Sequence, residues 1–420
     1  MISFQGKKMK TAGIIAEYNP LHTGHQYHIE RTKKETGADR VIVAMSGNFV
    51  QRGAPALIDK YTRAKSALMA GADLVLQIPP MYSLSSAEFF AKGAVSLLIN
   101  TGVVNYISFG TEDGTLDDLK KIARILADEP VKFKTSLQKY LKNGDSFPNA
   151  RAKALVESYP EMVDKTALMN TPNNILAIEY LKQLNIAKSK IKPITIKRVG
   201  AGYNDPYSPG QTGISSKAIR EAVYYGSDVE MLKSYMTEES FEMLEKAIKD
   251  KMIVHENDFS QMLIYKLLSE REQGFTKYLD VSDDLSDRII NNLDKFTSIS
   301  EFCDLLKTKD KTYTRISRSL FHILLGITET DMYSRDYTGP CPFIRILGFK
   351  KSSEDLVSEM KSSASVPIIT GYNDAVKNLY SEPMKRLQME SRIEDLYFAI
   401  QTLKSGQSRK PDMSRPLIVL

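Results

Sequence analysis

The 420-residue sequence predicts an α/β protein, a parallel sheet with helices on its faces followed by a mainly helical carboxyl-terminal half. Three observations carry this expectation. Short apolar runs alternate with helical segments through the first third of the chain, the pattern of βαβ units. From Leu116 to Leu184 the pattern turns mainly helical, and Lys192–Val199 then reads as one more strand able to return to the sheet. After about residue 230 almost every periodic segment reads as helix.

In chain order, TAGIIAE (11–17) reads as a buried strand, 24–36 as a helix and RVIVAM (40–45) as a second strand. A helix over 58–70, a third strand DLVLQI (73–78), an apolar helix over 86–98 and a short fourth strand NYISF (105–109) follow. Residues 200–213 (GAGYNDPYSPGQTG) are loop by composition, and a helix over 215–223 has Ser215 as its N-cap. Further on, helices are expected over 238–250, 257–271, 284–294, 298–307 and 314–325, then a short strand over 343–347 and a long last helix over 384–404. The change in character divides the chain into a Rossmann-like domain, 1–230, and a mainly helical domain, 231–420.

Composition narrows the class. No apolar run approaches bilayer length, and residues 1–10 lack the apolar centre of a signal peptide. Met9 stands just before the first strand, so residues 1–8 read as a start-site extension. The two cysteines, Cys303 and Cys341, are far apart, which suits a reducing compartment and leaves no Cys-based zinc spacing. A cytoplasmic protein is expected, with no membrane association and no stable protein partner. The net charge of +6 permits an RNA or nucleotide partner without requiring one.

The chemistry concentrates between the first strand and the first helix. Three of the five histidines, His22, His25 and His28, lie in Glu17-Tyr18-Asn19-Pro20-Leu21-His22-Thr23-Gly24-His25-Gln26-Tyr27-His28. A helix N-terminus offers unpaired N–H groups and a partial positive charge to phosphate. Gly24 allows close backbone approach, and His22 and His25 can donate to phosphate oxygens as charge grows in a transition state. The competing readings are a zinc site, for which Glu17 would be the nearest carboxylate, and histidines clustered by chance. Ligands of such sheets bind beyond the carboxyl ends of the strands, where this segment falls, and that favours the phosphate reading with no dedicated metal site. A second candidate is ISSKAIR (214–220). Ser215 and Ser216 would present hydroxyl and N–H groups at another helix start, with Arg220 one turn on. Alone, this segment reads more readily as just a capped helix; paired with HTGH at the same end of the domain, the phosphate reading is favoured.

HTGH resembles the signature of class I aminoacyl-tRNA synthetases and small adenylyltransferases, and ISSKAIR is similar to the adenylyltransferase form of the second signature. EYNPLHTGHQYH (17–28), SGNFVQRGAP (46–55), FGTE (109–112), PNNILAIEY (172–180) and ISSKAIR together resemble the bacterial tRNA(Met) cytidine acetate ligase family. YTRISRSLFHILLG (313–326) and FIRILGF (343–349) extend the likeness into the second half. The resemblance implies an enzyme that activates acetate with ATP, Mg²⁺ accompanying it, to acetyl-adenylate and then acetylates N4 of the wobble cytidine of elongator tRNA(Met). It also implies a nucleotide pocket made by Ile15, Ala16, Glu17, Tyr18, Asn19, Pro20, His22, Gly24, His25 and His28. Gly110 after the fourth strand, Asn173 of PNNIL, Arg198 at the end of the later strand, and Ser215, Ser216 and Arg220 complete that pocket.

Other residues carry weaker expectations. Arg52, in the loop after the second strand, could steady a phosphate or the acetate carboxylate. Lys60 and Arg63 open the next helix and read as plain surface charges. Lys307, Lys309, Lys311, Arg315 and Arg318, with Tyr313 among them and His322 just beyond, form a basic stretch; Arg315 and Arg318 share a helix face that could follow an RNA backbone. The rival function is an adenylyltransferase acting on a small phosphorylated metabolite, which shares both phosphate motifs but leaves the second half without a task.

Overall fold

The structure is a computed structural model and describes residues 9–145, 147–197, 213–226, 229–333 and 339–420. Strand β1 (Thr11–Ala16) leads to helix α1 (Thr23–Thr36), β2 (Arg40–Ser46), the small strands β3 (Phe49–Val50) and β4 (Ala54–Pro55), α2 (Lys60–Met69) and β5 (Leu74–Ile78). The one-turn α3 (Pro80–Ser83) and α4 (Ala87–Asn100) precede β6 (Tyr106–Thr111). Next come α5 (Leu116–Asp128), α6 (Val131–Lys142), α7 (Phe147–Ser158), a 3-10 run over Pro160–Met169, α8 (Pro172–Ile186), β7 (Lys192–Lys197) and α9 (Ser216–Tyr224). The second half holds α10 (Glu238–Lys249), α11 (Ser260–Glu270), α12 (Asp283–Ile290), α13 (Ile299–Leu306), α14 (Tyr313–Leu325) and α15 (Glu329–Tyr333). It closes with β8 (Ile344–Phe349), α16 (Glu354–Ser363), β9 (Ile368–Ile369), α17 (Tyr372–Asn378), α18 (Ser381–Ser405) and β10 (Ile418–Val419).

The main sheet runs β10-β8-β5-β2-β1-β6-β7, with β9 beside β8. β1, β2, β5, β6 and β7 are mutually parallel, so the sheet is Rossmann-like as expected. Strand order reverses at β1: the chain first builds outward through β2 and β5, then returns to place β6 and β7 on the other side. That reversal opens a crevice at the carboxyl end of β1, the usual ligand position in this architecture.

The strand period of two explains the layering. Ile42, Ala44, Leu74 and Leu76 face one core, whereas Val41, Val43 and Val75 face another packed by Ala64, Ala67 and Leu68 of α2. Gly13 in β1 lets α4 approach closely: a Cβ there would stand 2.8 Å from a Leu98 methyl.

Several expectations shift. The first strand ends at Ala16 because Tyr18 takes a left-handed backbone, φ 47°, that ends extension. Segment 46–55, read as a loop, folds into an antiparallel pair, Phe49 opposite Pro55 and Val50 opposite Ala54, turned by Gly53 at φ 79°. The short strand of the helical half, β8, joins the first-half sheet antiparallel to β5, and β10 pairs beside it. Its sequence, IRILGF, is apolar enough to be buried on both faces, which only a sheet interior provides. The segments after residue 230 are otherwise mainly helical, as expected. Among the described residues no helix is long and apolar enough to cross a membrane. Residues 1–8, Arg198 and most of the 200–213 loop lie outside the described residues.

Candidate active site

His22 is the N-cap of α1. Its backbone is extended, and its Nδ1 accepts the Gly24 N–H at 3.1 Å. The His22 N–H in turn donates to His25 Nδ1 at 3.3 Å, a reciprocal box made by two imidazoles where a hydroxyl and a carboxylate would usually act. The two rings stack, centroids 3.8 Å apart, and the Tyr18 ring meets His25 edge-on at 4.9 Å. Because each Nδ1 accepts a backbone N–H, the neutral tautomer of each ring carries its proton on Nε2. The arrangement thus sets two Nε2–H donors at a helix N-terminus. His28, one turn further, bonds Ser108 of β6 at 2.9 Å and so pins α1 to the neighbouring strand.

The second motif is locked onto the first. Ser215 caps α9 by accepting the Ala218 N–H at 3.1 Å. The Ser216 hydroxyl donates to the Pro20 carbonyl at 3.1 Å, and the Arg220 guanidinium donates to the Asn19 carbonyl at 2.8 Å. The Asn19 side chain accepts the Leu57 N–H at 2.8 Å, fixing the same turn from its other side. Segments about two hundred positions apart therefore form one rigid unit.

This unit walls a cavity of about 490 Å³ at the carboxyl end of β1. Ile15, Ala16, Glu17, Tyr18, Asn19, His22, Gly24, His25 and His28 line it, with Gly110, Asn173, Ser215, Ser216 and Arg220. Of the described residues expected there, only Pro20 is not in the lining; it is buried and contributes its carbonyl to Ser216. FGTE and PNNIL meet as well. Glu112 accepts the backbone N–H groups of Asn173 (3.4 Å) and Asn174 (3.3 Å), so its carboxylate caps α8 beside the cavity. Sequence reasoning missed the apolar wall of Phe90, Phe109, Leu176, Tyr180 and Ile196. These side chains look like ordinary core until the strand order is known.

The loop after β2 delivers Gln51 and Arg52 to the cavity. The Gln51 N–H donates to Glu17 at 2.9 Å, tying the loop to the end of β1. Here the surface reading of Lys60 and Arg63 is overturned: both are fully buried. Arg63 donates to the carbonyls of Ile58 (3.0 Å), Glu17 (2.7 Å), Ser46 (3.1 Å) and Gly47, gathering both strand ends around one guanidinium. Lys60 donates to Gln77 at 2.8 Å and pairs with Asp412 at 2.7 Å and Glu394 at 3.5 Å. Burial and the nearby Arg345 push the Lys60 pKa down, opposed by Asp412 and Glu394. Burial raises the Asp412 pKa, but Arg345 and Lys60 outweigh it and hold the carboxyl at about 2. A buried charge must be paired, and here the partners come from the far end of the chain.

The basic stretch at α14 is largely engaged. Lys307 pairs with Asp304 at 2.6 Å, Lys311 with Asp284, and the mostly buried Arg318 with Asp280 at 3.4 Å. His322 is wholly buried, its ring nitrogens 2.8 Å from the carbonyls of Leu279 and Leu84. It is a clasp between the two halves of the chain and not part of a basic surface. Arg315 is exposed. The start of α14 also touches the cavity loop, since Ser317 donates to the Gly53 carbonyl and a Cβ at Gly53 would stand 2.6 Å from the Arg318 nitrogen. Among the described residues no three of His, Cys, Asp and Glu gather as a metal site requires.

A parallel sheet whose first strand ends in a His-x-Gly-His helix start, clasped by a serine-rich second helix start around a crevice, defines a nucleotidyltransferase-type domain. The comparisons agree. Residues 9–412 match the family described as HIGH Nucleotidyl Transferase. The chain is 42% identical over 361 residues to the tRNA(Met) cytidine acetate ligase of Clostridium novyi, covering 86% of this chain and 89% of that one. It is 36% identical to the protein of that name from Halothermothrix orenii, covering 98% and 99%. The crystal structure of apo Thermotoga maritima TmcAL superposes with a TM-score of 0.92 at 31% identity, covering 98% of this chain and 100% of that one. A second crystal structure of the Thermotoga protein, bound with alpha-thio ATP, gives 0.88 at 29% identity over 98% and 99%. The chain belongs to the tRNA(Met) cytidine acetate ligase family.

Proposed function

We propose that this protein is an ATP-dependent ligase that activates acetate as acetyl-adenylate and transfers the acetyl group to N4 of the wobble cytidine of elongator tRNA(Met). The observation that carries the reading is the clasp of the two phosphate motifs, Ser216 and Arg220 on the Pro20 and Asn19 carbonyls, around one cavity. The names of the relatives and the ATP analogue bound by the Thermotoga protein support it.

In this reading acetate oxygen attacks the α-phosphorus in line, the bond to the bridging oxygen breaks and pyrophosphate leaves. Adenylation turns a carboxylate oxygen that cannot depart into one that departs as AMP. The protein contributes positioning and charge stabilisation. His22 and His25 donate to the phosphates at the start of α1, where the N-terminal partial charge also acts. Ser215, Ser216 and Arg220 hold the β/γ end, and Arg52 neutralises the acetate carboxylate or a phosphate. Of the described residues lining the cavity only Glu17 is acidic, so Mg²⁺ would be carried mainly by phosphate oxygens and water. The cytidine N4 amine then attacks the acetyl carbon, AMP leaves, and N4 loses a proton. A base must leave its stack to reach such a pocket, as an anticodon-loop nucleotide can.

The division of labour runs between 1–230, which holds the nucleotide, and 231–420, where the exposed Arg315 contacts RNA phosphates while Arg318 is held by Asp280. The small-metabolite adenylyltransferase reading leaves that second part without a task, and none of the relatives named above carries that description. The test is pyrophosphate exchange into ATP with acetate and without tRNA, followed by N4-acetylcytidine formation on addition of tRNA(Met). Exchange that appears only with tRNA would overturn independent activation.

A further inference from the structure

The connection between β6 and β7 is longer than the sheet needs. A crossover between parallel neighbours takes one helix, and α8 serves, packed on α4 and β6. Helices α5, α6, α7 and the 3-10 run are an excursion. It leaves the sheet just after Gly110 and returns at Pro172 and Asn173, and all three residues line the cavity.

Its middle, the α6–α7 hairpin, is strongly basic. Residues 131–159 carry Lys132, Lys134, Lys139, Lys142, Arg151 and Lys153 against only Asp145 and Glu157, a net +4 in a chain whose total is +6. The five lysines are exposed. Lys139 pairs with Glu157 at 2.9 Å and Lys153 with Asp145 at 2.7 Å. Among the described residues no carboxylate stands within ion-pair distance of Lys132, Lys134 or Lys142, so their charge is open to a partner. Aromatic rings interleave them. The Lys132 ammonium lies 4.0 Å from the Tyr159 ring centre, Tyr140 lies between Lys139 and Lys153 at 5.2 and 5.5 Å, and Phe147 is 53% exposed. Phe133, Ala150, Ala154 and Leu155 pack inward, which leaves isolated exposed apolar groups and not the continuous stripe that a bilayer interface takes.

We propose that the α6–α7 hairpin is an RNA-binding surface that holds backbone phosphates of the tRNA while the reacting base enters the cavity at the hairpin's root. This rests on the ligase reading above. Lysines supply phosphate contacts, and the exposed ring offers a stacking platform. Helix α14 is attached to the loop after β2 and the hairpin is rooted after β6, so the exposed Arg315 and the hairpin lysines belong to elements that join the sheet on either side of β1. A stem-loop presented between them would meet positive charge on both flanks.

The experiment measures binding of a tRNA(Met) transcript by the full chain across a salt series. The protein is compared with the variant Lys132→Glu/Lys134→Glu/Lys142→Glu and with the milder triple alanine variant, which guards against misfolding. Acetate-dependent pyrophosphate exchange is run in parallel. Expected is a loss of tRNA affinity of about 10- to 100-fold near 0.1 M salt, with the log–log salt slope shallower by about 2–3, the scale for three lost phosphate contacts. Exchange stays unchanged in both variants. Unaltered affinity and slope in an exchange-competent variant overturn the proposal. So does retained tRNA binding together with lost binding to phosphatidylglycerol vesicles, which would hand the surface to a membrane. Failure of the wild-type chain to acetylate tRNA(Met) would count instead against the ligase reading.

Discussion

Glu394 of α18 accepts the backbone N–H of Asn48 at 3.0 Å, across 346 positions of sequence. The same carboxylate takes the Gln77 amide at 3.0 Å and stands 3.5 Å from the Lys60 ammonium. It thereby fixes the loop that carries Gln51 and Arg52 into the cavity. Glu394→Ala should cost about 3–5 kcal/mol of unfolding free energy, because Lys60 is left buried with one anion fewer. Gly47→Ala should cost about 1–3 kcal/mol, since its Cβ would overlap a Glu394 carboxylate oxygen. Urea unfolding of both variants checks this, and wild-type midpoints would refute it.

His22 has two tasks that substitution can separate. Asn is a good N-cap, so His22→Asn should keep α1 intact, whereas His22→Ala should lose about 1 kcal/mol through the cap. Both should slow pyrophosphate exchange by roughly 10²–10³-fold, the scale for one lost transition-state donor, as should His25→Ala. An active His22→Asn enzyme would leave the ring with a capping role alone.

The clasp between the motifs is open to a similar test. Arg220→Lys keeps the charge but loses the planar donor set that reaches the Asn19 carbonyl. A hydrogen bond from a charged group contributes about 1.5–3 kcal/mol, so the KM for ATP should rise by at least about tenfold. An unchanged KM would show that the two motifs do not depend on each other.

Glu390 predicts a pH dependence. Burial pushes its carboxyl up to about 7, with Arg386, 3.3 Å away, opposing. A carboxyl raised in the folded state holds its proton more tightly there than in the unfolded chain. The stabilisation is therefore complete below the ordinary value near 4.5 and is lost as pH rises through about 7. Between pH 5 and 8 the wild type should lose stability relative to Glu390→Gln, and parallel curves would contradict this.

Arg315 and Arg318 should behave differently from one another. Arg315→Glu, on an exposed side chain, should weaken tRNA binding by about tenfold and leave exchange unaffected. Arg318→Glu would set a second carboxylate against Asp280 in a mostly buried position and should lower the melting temperature. Normal tRNA binding by Arg315→Glu would place the contact elsewhere.

The legible parts of this protein are the ones written locally. The alternation of strands and helices and the capped start at Ser215 are signals spanning a few neighbours, and the structure keeps them with shifts of a residue or two. The HTGH helix start is legible for the same reason, although the exchange of cap roles between His22 and His25 depends on ring orientation, which spacing does not state. Lys60 and Arg63 were illegible because a basic residue opening a helix looks the same in solvent and in a core. Only the arrival of Glu394 and Asp412 decides between them. β8 was visible as a strand, but nothing near it in sequence says that its neighbour is β5.

The pairing of Lys60 with Asp412 also orders events during synthesis. A growing chain exposes β1, β2 and α2 early, yet the interior that encloses Lys60 then has neither of the carboxylates that make burial tolerable. Until α18 and the segment around residue 412 emerge, water must stay with that ammonium and the sheet cannot close over it. The half that is made first thus receives the anions for its buried ammonium from the last part of the chain to be made.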